Sequence, residues 1–71
     1  MKPISAIIID DEPLARDIVK RYASTIEGLN IVAECSDGFE ALRQIQTLKP
    51  DLLFLDIQMP KLDGFELLEV L

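Results

Sequence analysis

The sequence contains no histidine and a single cysteine, and its 7 lysines and arginines are outnumbered by 13 aspartates and glutamates. Each shortage narrows what the chain can do. Without histidine, the commonest transition-metal ligand and general base is missing. Cys35 alone cannot close an internal disulfide, so a reducing cytoplasm is the expected compartment. The formal charge of −6 disfavours direct binding of nucleic acid, because phosphate backbones are held by clustered Lys and Arg. An anionic membrane surface is disfavoured for the same reason. No apolar run approaches the roughly 18 residues of a membrane span. The N-terminus "MKPISAIIIDDEP" lacks the longer apolar core and small-residue cleavage site of a signal peptide. There is no internal repeat, low-complexity tract or linker.

What is present is an ordinary globular composition, 49% apolar and 28% charged over 71 residues. That is enough for one small domain. A chain of this size buries only about 60% of the surface its unfolded form exposes, so its stability is expected to be marginal.

The apolar residues fall into alternating patterns. Residues 4–10, "ISAIIID", form a near-continuous apolar run, as in a strand covered on both faces. Pro13 suits the first turn of a helix, and Leu14, Ala15, Ile18, Val19, Tyr22 and Ile26 recur at helical spacing as its expected core face. Arg16, Asp17, Lys20 and Arg21 fall on the opposite face, and Gly28 is the expected stop. Residues 30–35, "NIVAEC", read as a second strand, with Cys35 a small buried residue. Ser36 or Asp37 can cap the next helix, with Glu40 as a capping-box partner. Phe39, Ala41, Leu42, Ile45 and Leu48 mark its expected buried side, and Pro50 ends it. "DLLFLDI", 51–57, is a third strand, again apolar on both faces. Met59 and Pro60 shape the loop after it, and Asp63 with Glu66 opens a third helix, "GFELLEVL".

The order β-α-β-α-β-α implies a doubly wound α/β fold, a parallel sheet with helices on both faces. In such sheets, sites form beyond the carboxyl ends of the strands, near the switch in strand order. Asp10, Asp11 and Asp56 all lie at such ends, and they converge if the first and third strands are neighbours. Asp11 and Glu12 alone could be explained as acids favouring a helix N-terminus. Asp56 could not, because it precedes the loop "IQMPKLD". Gathering like charges costs energy that a cation would offset. Oxygen ligands without histidine suit a hard ion such as Mg²⁺.

"IIIDDEPLAR" and "PDLLFLDIQMPKLDG", in this element order, resemble the receiver domain of two-component response regulators. The resemblance covers the whole chain, 1–71, and corresponds to the N-terminal part of a complete receiver. It implies a flavodoxin-like fold with strand order 2-1-3, here truncated to β-α-β-α-β-α. It further implies that Asp56 is the phosphoacceptor, that Asp11, Asp56 and the Gln58 carbonyl ligate Mg²⁺, and that Asp10 holds a metal-bound water. The implied role is that of a signalling module rather than an enzyme. Its implied phosphoryl donor is a sensor histidine kinase, and "DDEPLAR" is similar to regulators with a downstream LytTR-type DNA-binding domain. Complete receivers add two strands, one ending in a Ser or Thr and the other in a Lys that contact the phosphoryl group. Lys2, Lys20, Lys49 and Lys61 match neither position.

Two other readings compete. Phosphatases of the haloacid dehalogenase class also place a nucleophilic Asp after a buried strand, with an acid/base Asp two residues later. Gln58 stands there instead. A pseudo-receiver would act only as a binding module, and such modules usually lose the acceptor or an acid of the pair; all three are kept. The apolar third strand lacks the charges that protect a sheet edge, so self-association as a homodimer is also expected.

Overall fold

The computed structural model describes residues 2–56 and 64–70. In chain order the elements are β1 (Ile4–Ile9), α1 (Pro13–Ala23), β2 (Leu29–Cys35), α2 (Gly38–Leu48), β3 (Leu52–Leu55) and α3 (Gly64–Val70). The three strands make one parallel sheet in the order β2-β1-β3. Among the described residues β3 pairs with β1 alone, so it forms one edge of the sheet. The 2-1-3 order expected from the sequence is the one found.

The central position of β1 explains its composition. Ala6, Ile7, Ile8 and Ile9 are all fully buried, because a central strand is covered on both faces. Alternating side chains divide them between two layers. Ile7 and Ile9 join Cys35, Ala41 of α2 and Leu67 of α3 in the main core, with Ala33, Leu42, Ile45, Leu53 and Leu55 packed around it. Ile8 faces the other layer, where it lines a cleft with Val19 of α1 and Phe54 of β3.

The edge strand β2 shows the contrast. Its burial alternates along Leu29–Cys35, with Asn30, Val32 and Glu34 outward. Where β3 begins, Asp51 fastens it to β1. The Asp51 carboxylate accepts hydrogen bonds from the Ser5 amide (3.0 Å) and the Ser5 hydroxyl (3.3 Å), while the Asp51 amide donates to the Ser5 carbonyl (2.9 Å). This clamp holds the register in which Ile7 lies beside Leu53 and Ile9 beside Leu55.

Three expectations need correction. The first helix ends at Ala23, not near Gly28, because the Ser24 and Thr25 hydroxyls donate to the carbonyls of Arg21 and Tyr22 and close the last turn. Gly28, at φ +85°, instead makes the turn into β2, and its carbonyl accepts from the Ile4 amide at 2.7 Å. Second, Tyr22 is not in the core: it is 72% exposed, with Leu14 at 74% and Ile18 and Ile26 also exposed. The helix turns Val19 and the buried Ala23 toward the sheet, so the larger apolar residues lie on its outer side. Third, Phe39 and Leu48 of α2 are exposed, and its core contacts come from Ala41, Leu42 and Ile45. The cap of α2 is Asp37, whose carboxylate accepts from the Glu40 amide at 2.9 Å. The helix stops at Lys49, in the left-handed conformation, immediately before Pro50. No described helix is long and apolar enough to cross a membrane.

A carboxylate cluster at the strand ends

Because β1 and β3 are neighbours, their carboxyl ends meet at one point. The Asp56 amide donates to the Ile9 carbonyl at 2.9 Å, which places Asp56 beside Asp10. On the other side, the Asp10 amide donates to the Cys35 carbonyl at 3.0 Å and extends the β1–β2 ladder by one step. Asp11 follows at the head of α1. Asp10, Asp11 and Asp56 can each present a carboxylate oxygen within 4.8 Å of the other two. Asp11 is exposed, and the other two are half-buried. Gln58, the fourth expected ligand, lies outside the described residues, as do Met59, Pro60 and Asp63.

The loop that carries the acidic pair is tied down by hydrogen bonds. The Asp10 carboxylate accepts from the Glu12 amide at 2.9 Å, and the Asp10 carbonyl accepts from the Arg16 guanidinium at 2.7 Å. Arg16 also reaches Glu34 of β2, Nε to Oε1 at 3.5 Å, and Lys20 meets the same carboxylate at 2.9 Å. The hydrogen bond from Lys20 holds the Glu34 carboxyl below its ordinary pKa, against the opposing effect of burial. Glu34 therefore stays ionised wherever ordinary carboxylates do. Neither Arg16 nor Glu34 is identifiable as part of the site from periodicity, which places Arg16 only on a solvent face. The available signal was a cation one turn into the helix that follows two acids.

The donor set defines what the cluster can do. Three carboxylate oxygens from two strand ends, with no nitrogen or sulfur donor, suit a hard divalent cation. Mg²⁺ takes one or two carboxylates and keeps water or phosphate oxygens in its remaining positions, so the residues present fit it. Beside the cluster opens a cleft of about 340 Å³ lined by Ile8, Asp10, Val19, Phe54, Leu55 and Asp56. A second depression, about 400 Å³, lies on the outer side of α1 against Ile18, Arg21, Tyr22 and Thr25, away from the carboxylates. Among the described residues, acidic groups converge at the first.

Cys35 sits at the end of β2 and is fully buried. Burial, then the nearby Glu40 and Asp37 charges, push its thiol from 9.0 up to about 11. Near neutral pH that shift lowers the thiolate fraction about a hundredfold, which makes the thiol inert. The folded protein binds this proton more tightly than the unfolded chain. The resulting stabilisation is complete below the unfolded thiol's pKa and is lost as pH rises through about 11. Titration with an aromatic disulfide at pH 8 should therefore label Cys35 only in denaturant. Urea midpoints should fall above about pH 9, with a smaller fall in Cys35→Ala. Rapid labelling of the folded protein would contradict this account.

The model of the response regulator receiver domain family matches residues 6–71. The transcriptional regulatory protein BtsR of Escherichia coli (strain K12) is 43% identical over 68 residues, 96% of this chain and 28% of its own length. A protein-glutamate methylesterase/protein-glutamine glutaminase of Myxococcus xanthus is 39% identical over 71 residues, the whole of this chain and 20% of its own. Among solved structures, the response regulator domain of Thermotoga maritima CheB matches with a TM-score of 0.93 and 32% identity, over 97% of this chain and 52% of that one. The CheX–CheY–BeF3–Mg²⁺ complex from Borrelia burgdorferi matches at 0.87 and 32%, over 94% and 51%. The chain thus spans about half of the solved domains and less than a third of the curated relatives.

Proposed function

The chain belongs to the response regulator receiver domain family, with its flavodoxin-like fold, and on that footing we propose that it is the phosphoacceptor module of a two-component regulator. Asp56 is the acceptor. One of its oxygens attacks the phosphorus of a phosphohistidine on a sensor kinase, the P–O bond forms as the P–N bond breaks, and the ring leaves as neutral imidazole, its other nitrogen already carrying the proton. The product is an aspartyl phosphate. Asp10, Asp11 and Asp56, with the Gln58 carbonyl, would hold Mg²⁺, which supplies positive charge against the phosphoryl oxygens. The observation that carries this reading is the convergence of the three carboxylates beside an open cleft.

The rest of the work falls to positioning. The ladder bonds at Asp10 and Asp56 fix both acids on rigid strand ends, so little reorganisation accompanies transfer. A phosphoryl group adds close to two negative charges at this point, which can bias a two-state surface toward a partner. The proposed partners are the kinase and an effector domain elsewhere in the protein. The relatives named a transcriptional regulatory protein and a methylesterase/glutaminase are the models for that effector.

The test is intact-mass analysis of the complete regulator with phosphoramidate as donor. With Mg²⁺ present, the protein should gain one phosphoryl group; with the metal chelated, the gain should vanish. Equal labelling with and without Mg²⁺ would overturn the metal-assisted mechanism.

A further inference from the structure

We infer that Arg16 is a positioning residue for the cation site, and that Glu34 is its anchor. Arg16 links three elements at the acidic loop, α1, the end of β1 and β2. It projects from α1, donates to the main-chain carbonyl of Asp10 at 2.7 Å, and faces Glu34 of β2 at 3.5 Å. Its side chain is 19% exposed, well shielded for an arginine. The carbonyl it holds belongs to the peptide joining Asp10 to Asp11. Fixing that peptide fixes the direction in which Asp11 leaves the strand end, and hence the distance between its carboxylate and those of Asp10 and Asp56.

The chemistry requires arginine at this position. Nη1 serves the carbonyl while Nε serves the carboxylate, so one rigid plane makes both contacts. An ammonium on a flexible stem concentrates its charge at one point and cannot hold both in this geometry. Groups outside the metal's own ligands commonly set affinity by orienting them, by about 10- to 100-fold. Arg16 acts in this way, through the backbone.

The inference rests on the proposed Mg²⁺ site, and the experiment separates the two. Mg²⁺ is titrated into the complete regulator, its Arg16→Ala, Arg16→Lys and Glu34→Gln variants, with the amide signals of Asp11 and Asp56 followed by NMR. Thermal midpoints without Mg²⁺ are recorded in parallel. The parent should bind, Arg16→Ala should bind about tenfold more weakly, and Arg16→Lys should not restore affinity. Glu34→Gln should weaken binding less, because the carbonyl contact survives. A purely structural Arg16 would lower the midpoint and leave Mg²⁺ affinity at the parent value, and that result overturns the inference. Full rescue by lysine also overturns it. Absence of Mg²⁺ binding by the parent overturns the functional reading itself, and the inference with it.

Discussion

Replacing Asp56 by alanine in the complete regulator is expected to abolish phosphoryl uptake, by a factor of roughly a thousand or more. The size of the effect follows from the role. In the proposed mechanism Asp56 forms the new bond, and the two neighbouring acids are held differently. Asp10 is held by its own carboxylate bond to the Glu12 amide, and Asp11 leaves from the head of α1. Neither stands where the Asp56 amide meets the Ile9 carbonyl. Asp56→Asn should show the same loss while keeping the shape of the side chain, which separates chemistry from folding. Labelling by phosphoramidate, read by intact mass and by base lability of the product, makes the measurement. Undiminished labelling of the alanine variant would remove Asp56 as the acceptor.

The second large effect is on stability. Ile7→Ala is expected to cost about 2–5 kcal/mol, since it deletes buried methyl and methylene groups and leaves a cavity that surrounding elements fill only partly. Ile7 has no exposed surface and packs in the core with Ile9, Cys35, Ala41 and Leu67. It lies on the central strand between Ala33 of β2 and Leu53 of β3, so relaxation would have to move both neighbours. Domains of this kind have only about 5–15 kcal/mol in total, so the loss is a large share. Leu14→Ala provides the contrast. Leu14 is 74% exposed, and its removal should stay within about 0.5 kcal/mol. Urea unfolding of both variants in the complete regulator decides the matter. Equal costs at the two positions would mean that burial is not what sets them.

The strands were legible because a run such as "AIII" has few alternatives once it is bounded by acids and a proline. The acids were legible for a related reason, since a parallel sheet concentrates its strand ends on one side. Helical faces were harder to read. Leu14, Ile18, Val19 and Tyr22 all recur at the right spacing, yet of these four it is Val19 that approaches the sheet, with Ala23 beside it. Periodicity identifies an apolar stripe and is silent on what covers it. The same limit applied to Phe39 and Leu48. Arg16 escaped for the opposite reason. Its charge suggested solvent, whereas its guanidinium is spent on a main-chain carbonyl and a carboxylate that sequence alone does not bring near it.

The outward position of Tyr22 has a practical side. The chain contains one tyrosine and no tryptophan, so excitation near the tyrosine band reports from a single ring on the outer side of α1. Leu14, Ile18 and Ile26 share that exposed stretch of the helix region. Anything that settles over them would also change the polarity around the phenol and its access to a dissolved quencher. Within these 71 residues, Tyr22 is a built-in optical probe beside the exposed Leu14, Ile18 and Ile26.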